Sequence, residues 1–402
     1  MTDNAWHRRA QDAIAHGYLT NSKRPESHVA GIYPTHIAKG HGCYLWDTAG
    51  KRYVDFVCGL GTNILGYAND RVNAAIVKQM GLGASHSFAS TLEVTTAEKL
   101  KELFPFVDAV RFLKSGSEAC SAAVRIARAK TGREWILSDA YHGWHDAFVS
   151  LMPPAHGVPS NGALKIEPLR GMIQISKDIA AVIVEPIVTD ASPARIEWLK
   201  ELRAECDKHG TLLIFDEVIT GFRWPKFSVA YQTNIIPDLI VLGKAIANGM
   251  PLAAVGGKYA VMNCDYFVSS TYAGETLSLA AAKETMTQLQ TKFSMDDLWL
   301  RGKDFIDQFN AIYPGGVWIE GYPTRGAFKG EALTRALFFQ EACRAGVLFG
   351  PSWFFNFPHC EIYRDVLDLC RDILARVRSG AVKLEGELPK PAIAQKIREK
   401  IA

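Results

Sequence analysis

Two short stretches near the middle of the chain carry residue types and spacing suited to chemistry. Asp216 and Glu217 close the apolar run Leu212–Phe215, and Gly243 and Lys244 close a second run, Leu239–Leu242. Runs this short, ended by a charge, read as buried parallel strands, because a helix of that size cannot stand alone. In an open parallel sheet, ligands gather beyond the carboxyl ends of the strands, so Asp216 and Lys244 are expected to face one crevice. Burial lowers the proton affinity of an amine, and a lysine placed there can attack a carbonyl. An aspartate placed there can hold a positively charged ring nitrogen. Pyridoxal phosphate requires both, an imine-forming lysine and an acidic partner for its pyridinium. An ion pair at two strand ends is the plainer alternative.

Other stretches could serve such a ligand. Ala109–Leu113 reads as a strand opening into Ser115-Gly116-Ser117-Glu118-Ala119, with a helix running on to about Lys130. Backbone N–H groups at a helix start suit a phosphate. An ordinary N-cap, with Ser117 bonding the first turn, is the competing account. After the strand Trp135–Leu137 comes Tyr141-His142-Gly143-Trp144-His145, whose tyrosine could stack on a planar ligand or fill a core. His142 and His145 could be taken for metal ligands, but no metal is assigned. Ala181–Val184 ends in Glu185, which could touch substrate or cofactor or be a solvated strand-end charge. The segment 269–280, SSTYAGETLSLA, precedes a long helix whose entrance again offers donors.

The sequence D-E-V-I-T-G-F-R at 216–223, followed by L-G-K-A-I-A-N-G-M-P-L at 242–252, resembles the class III pyridoxal-phosphate aminotransferases. Within them it is most similar to the glutamate-1-semialdehyde aminomutase-like group. The resemblance implies the α/β fold of the aspartate aminotransferase superfamily, pyridoxal-phosphate transferase fold type I. That fold has a large domain with a mostly parallel sheet and a smaller α+β domain, and works as a homodimer. It also implies that Lys244 holds pyridoxal 5′-phosphate as an imine, that Asp216 keeps its ring nitrogen protonated, and that Val218 packs under the ring opposite Tyr141. Lys244, Asp216 and Tyr141 are then the catalytic set. Ser115, Gly116 and Ser117 form the phosphate cup, with His142 and Glu185 also at the cofactor. Thr271 of S-T-Y-A-G corresponds to a threonine that crosses a dimer interface to the neighbouring subunit's phosphate. Glu275-Thr276 departs from the Asn-Pro or His-Pro of many relatives.

The implied activity transfers an amino group between an amine or amino acid and a carbonyl acceptor, both small molecules. An aminomutase that shifts the amine within one molecule, and a racemase or decarboxylase on the same fold, are the alternatives. A non-catalytic binding protein is disfavoured, because both the lysine and the ring acid are present. Arg325 and Arg223 are candidates to hold a substrate carboxylate, Arg223 being preferred as a structural partner of Glu217.

The 402 residues allow one large or two medium domains. A net charge of +3 gives no reason to expect nucleic acid or an acidic membrane surface as partner. No apolar run approaches the roughly 18 residues of a membrane span, and the first residues lack the apolar core of a secretory signal. Eight cysteines in no metal or disulfide pattern fit a reducing cytoplasm. The expected division is an arm and hairpin over 1–57, a cofactor domain over 58–290, and a C-terminal small domain over 291–402. Residues 151–180 read as a long surface loop, and the aromatic stretch Phe349–Phe357 as core rather than pocket.

Overall fold

The computed structural model describes residues 3–139, 141–152, 155–169 and 175–390. In chain order it begins with helix α1 (Asp3–Ala13), strands β1 (Ile37–His41), β2 (Tyr44–Asp47) and β3 (Arg52–Asp55), and helices α2 (Cys58–Gly61), α3 (Asp70–Met80) and α4 (Thr91–Leu103). Next come β4 (Ala109–Leu113), α5 (Gly116–Thr131), β5 (Trp135–Ser138), α6 (Asp146–Val149), β6 (Ile166–Pro168), β7 (Ile179–Val184), α7 (Pro193–His209) and β8 (Leu212–Glu217). After α8 (Val229–Thr233), β9 (Leu239–Leu242), β10 (Ala253–Gly257) and α9 (Tyr259–Met262) come the long helices α10 (Thr276–Thr291) and α11 (Met295–Ile312). The chain closes with β11 (Val317–Tyr322), β12 (Arg325–Gly330), α12 (Ala332–Arg344), β13 (Val347–Leu348), β14 (Ser352–Phe354) and α13 (Tyr363–Arg378).

The chain divides into two compact units. Among the described residues, one joins those up to Asn69 to Asp296–Lys390, and the other spans Asp70–Met295. In the first unit, β1, β2, β3 and β13 form one sheet and β11, β12 and β14 another. The sequence-expected hairpin is β2–β3, with Trp46 opposite Arg52. Phe349, Trp353 and Phe355 are fully buried, and Phe56 stacks between Phe349 and His359, so the aromatic stretch is core. Arg325 lies in this unit, on β12 opposite Tyr322.

The second unit is built on a seven-stranded sheet of order β4-β10-β9-β8-β7-β5-β6. Strands β6, β5, β7, β8 and β9 run parallel, and β10 runs antiparallel to both β9 and β4. All six residues of β7 and all four of β9 are buried, which is why these strands read as unbroken apolar runs instead of alternating ones. Helix α5 packs Ala119, Ala123, Ile126 and Ala127 into the same core as Ile183, Ile214 and Val241. Each fully buried Ile or Val there contributes roughly 1.5–3 kcal/mol. Helix α7 starts at Ser192, whose side chain accepts from the Arg195 amide with Pro193 in the first turn, and stops at Gly210 in left-handed conformation.

The expected loop over 151–180 is interrupted by β6, where Ile166 is fully buried beside β5. Without it the amides and carbonyls of β5 would form an open sheet edge. Residues 153, 154 and 170–174 of that stretch lie outside the described residues.

Candidate active site

Four parallel strands end in a row, and each end carries a functional group. Asp139 follows β5, Glu185 follows β7, Asp216 and Glu217 end β8, and Gly243-Lys244 follows β9. The register sets Ser138 beside Ile183, Val184 beside Phe215 and Glu217 beside Leu242, so the groups arrive at one level. The rule that placed Asp216 and Lys244 together from sequence holds for the whole row.

Asp216 is buried, and both of its oxygens are engaged. Its Oδ1 accepts from the Val218 amide at 3.0 Å, and its Oδ2 lies 2.7 Å from His142 Nδ1 and 3.5 Å from the Cys120 thiol. Burial alone would raise its proton affinity. The His142 hydrogen bond and charge, the Val218 amide and the Lys244 charge outweigh burial and hold the carboxyl below its usual range. His142 shows the converse. Burial pulls its proton affinity down, but hydrogen bonds to Asp139 and Asp216 and the charges of both carry it up to about 10. Burial and the Asp216 charge raise Cys120 well above the ordinary thiol range, so it stays a neutral thiol.

Cys120, His142 and Asp216 place one sulfur, one nitrogen and one oxygen within 4.8 Å of one another. The 2.7 Å between His142 Nδ1 and Asp216 Oδ2 is a hydrogen-bond distance. Donors sharing a tetrahedral ion at about 2.0–2.3 Å stand about 3.3 Å or more apart, so the cluster is an acid–base chain.

Lys244 has φ +42°, a left-handed conformation for a residue with a β-carbon, and follows the extended Gly243. Such strain costs about 1–3 kcal/mol and collects at functional sites. Val218 lies beside Gly243. A methyl group built on Gly243 would come within 3.2 Å of Val218, and one on Gly116 within 3.0 Å. The end of β8, the turn before Lys244 and the start of α5 therefore meet around one valine.

At the start of α5 the cap is Ser115, not Ser117. Ser115 accepts from the Glu118 amide, and the Glu118 carboxylate accepts from the amides of Lys114 and Ser115. The amides of Gly116 and Ser117 lie in that first turn, which offers them no acceptor within the helix. The Ser117 hydroxyl instead accepts from the Trp144 amide at 3.2 Å. Gly143 makes that approach possible: it has φ +110°, and a β-carbon there would sit 2.4 Å from Ser117 Oγ. Tyr141 is 42% exposed, which excludes the core-filling alternative. Burial of its hydroxyl end, and after it the charge of Asp216, raise its proton affinity, tying it to the same site.

Other expectations fare differently. Glu185 is buried instead of solvated, and its amide donates to Asp139 Oδ1. His145 Nδ1 lies 2.9 Å from the Ser121 hydroxyl. Thr271 is exposed in the turn before α10. The entrance of α10 does not offer its donors, because Glu275 caps it: its carboxylate takes the Leu277 and Ser278 amides and pairs with Lys114 at 2.9 Å. Arg223 is fully buried, while the Glu217 carboxylate accepts from Thr220, Ser228 and the Val229 and Ala230 amides. Sequence reasoning missed Asp139, Arg195 and Cys120. Asp139 carried a usable signal, a charge closing an apolar run, whereas Cys120 and Arg195 reach the site only through the packing of α5 and α7.

The sequence matches the family of class III aminotransferases over residues 27–168 and 158–376. The chain belongs to this family. It is 32% identical over 379 residues to a glutamate-1-semialdehyde 2,1-aminomutase of Syntrophobacter fumaroxidans, covering 83% of this chain and 87% of the relative. It is 31% identical over 404 residues to the enzyme of that name from Aquifex aeolicus, covering 89% and 94%. Among solved structures it is similar to the FumI protein of Sphingopyxis sp. MTA144 in its pyridoxal-phosphate internal aldimine form. The TM-score is 0.87, with 25% identity over 97% of this chain and 99% of that one. An omega-transaminase from Sphaerobacter thermophilus shares the fold at TM-score 0.80, with 23% identity over 94% and 98%. The chain is thus a pyridoxal-phosphate-dependent enzyme of the aminotransferase and aminomutase kind, and its residues fit the cofactor. An ionised buried carboxylate, a lysine whose charge acts on it, an open helix terminus and a half-exposed aromatic ring share one strand-end row.

Proposed function

We propose that this enzyme is an aminotransferase moving an amino group between an amine or amino acid and a carbonyl acceptor, with Lys244 as the residue that bonds the cofactor. The observation that carries the reading is Asp216, a buried carboxylate kept ionised on the strand-end row that also presents Lys244. Bound pyridoxal phosphate supplies an aldehyde that exchanges amines and a ring that accepts electrons from a breaking C–H bond. Lys244 Nζ would hold the cofactor through its aldehyde, with loss of water, and the freed Lys244 amine would move the proton away from the substrate carbon. Asp216 would keep the ring nitrogen protonated.

Val218 and Tyr141 would hold the ring between them, with His142 and Glu185 beside it. Ser115, Gly116 and Ser117 take the phosphate at the start of α5. Thr271 reaches the phosphate of a second copy in a homodimer, a role supported by its exposure and by the exposed Phe267 and Tyr272 around it. The enzyme works in the cytoplasm. Among the described residues no helix is long and apolar enough to cross a membrane.

Borohydride reduction of the cofactor-loaded enzyme, followed by peptide mapping, should place the label on Lys244. Lys244→Ala should lose amine transfer by at least about a thousand-fold while folding normally. Undiminished transfer in that variant ends the proposal. The names of the curated relatives favour a second reading, an intramolecular aminomutase. Glutamate-1-semialdehyde supplied alone separates the two, because only a mutase turns it over without a second substrate.

A further inference from the structure

Behind Asp216 the polar groups continue in single file. The His142 ring is 1% exposed and lies between two carboxylates, with Nδ1 2.7 Å from Asp216 Oδ2 and Nε2 3.2 Å from Asp139 Oδ1. A carboxylate only accepts, so both ring nitrogens must carry hydrogen, and the ring is then a cation. Asp139 Oδ1 also accepts from the Glu185 amide at 3.3 Å, and its Oδ2 lies 3.6 Å from Arg195 Nη2. Arg195 is itself fixed. Its Nε donates to the Pro186 carbonyl at 2.9 Å and its Nη2 to the Glu185 carbonyl at 3.0 Å, and its guanidinium lies 4.3 Å from the centre of the Trp198 ring. Charges alternate along the file: Arg195 positive, Asp139 negative, His142 positive, Asp216 negative.

Resting on the reading that Asp216 receives the cofactor's ring nitrogen, we propose that Asp139 and Arg195 are positioning residues of the reaction. They lock His142 as a doubly donating cation, and so keep the charge and orientation of Asp216 constant across neutral pH. Asp139 and Arg195 reach Asp216 through His142.

The groups facing this file come from every element around it. Asp216 is on β8, Asp139 and Tyr141 follow β5, Glu185 follows β7 and Lys244 follows β9. Cys120 is on α5 and Arg195 on α7, and Phe148 of α6 packs against His142 edge to face. The Cys120 thiol stays neutral and Tyr141 is raised, so neither replaces the charge that Asp139 supplies. Without that charge His142 keeps one anionic partner. Burial, which favours the neutral ring, then brings its titration into the working range. Asp216 would face a neighbour whose charge changes with pH.

The test uses the full cofactor-loaded chain labelled with nitrogen-15 at histidine, the His142 signals being those lost in His142→Gln. In the wild type both ring nitrogens should remain protonated from pH 6 to about 9. In Asp139→Asn, which keeps the oxygen acceptor and loses the charge, the ring should titrate between about pH 6 and 8. The cofactor absorbance should gain an inflection at the same pH, and kcat should fall about ten-fold with KM unchanged. A His142 that titrates alike in both proteins overturns the proposal, as does a wild-type ring carrying a single proton at pH 7. Should Asp139→Asn fail to fold, Arg195→Lys is read by the same signals, with a smaller displacement in the same direction. Borohydride labelling keeps the two readings apart: label absent from Lys244 undoes the site assignment, whereas label present with an unmoved His142 undoes only the relay.

Discussion

Asp216 and Glu217 are consecutive residues at the end of one strand, both buried, and their surroundings are opposite. Asp216 is held by charge: His142 and Lys244 outweigh burial and keep it ionised. Glu217 is held by neutral donors, the hydroxyls of Thr220 and Ser228 and the amides of Val229 and Ala230, and burial wins, raising its proton affinity. Successive side chains on a strand point to opposite faces, so one acid looks toward the strand-end row and the other into the turns leading to α8. A buried carboxylate is therefore not a functional signal by itself. A buried carboxylate met by a cation is a stronger one.

Three substitutions or titrations separate the two acids. Asp216→Asn should keep the fold and lower kcat for amine transfer by about a thousand-fold, because a neutral amide cannot hold a proton on the ring nitrogen. Steady-state assays alongside a denaturant curve measure both, and a variant within ten-fold of wild type would place the ring acid elsewhere. Glu217→Ala should do the reverse, costing about 3 kcal/mol of stability by leaving buried donors without an acceptor, while surviving folded enzyme still turns over.

The smallest effect is in pH. Asp216, with its folded proton affinity below the unfolded value of 3.8, contributes stability that is present above that pH and is lost as pH falls through the folded value. Glu217, raised above 4.5, does the opposite, its contribution being complete at low pH and lost as pH rises through its folded value. His142 follows the second pattern at higher pH, contributing fully below 6.5 and fading as pH rises through about 10. Urea midpoints from pH 3 to 7 should show wild type gaining on Asp216→Asn with rising pH and losing ground to Glu217→Gln. Parallel curves would contradict the assigned surroundings.

Much of this was legible in the chain. The strands β7, β8 and β9 announce themselves because a strand buried on both faces must be apolar throughout, and the charges that end them mark the sheet's carboxyl edge. The turn Ser115-Gly116-Ser117 was legible as a helix start, its role as a phosphate cup resting on the family resemblance, but the alternative cap was placed on the wrong serine. A cap is set by backbone angles that residue types only bias. The donors expected at α10 were misread for a related reason: whether Glu275 turns inward to cap its own helix or outward to solvent depends on Lys114, which lies 161 positions away.

By itself the sequence determined the central strands β7, β8 and β9, the sheet end at which charges collect, and the lysine and aspartate expected there, since these follow from local periodicity and from the rule for parallel strands. The tertiary structure alone decided what surrounds each acid. Asp139 and Asp216 clasp the same imidazole, and Arg195 steadies the far end, through contacts between chain segments separated by up to 74 residues. Proton affinity depends on burial and on the distance to neighbouring charges, and neither quantity exists until the strands have taken their places side by side.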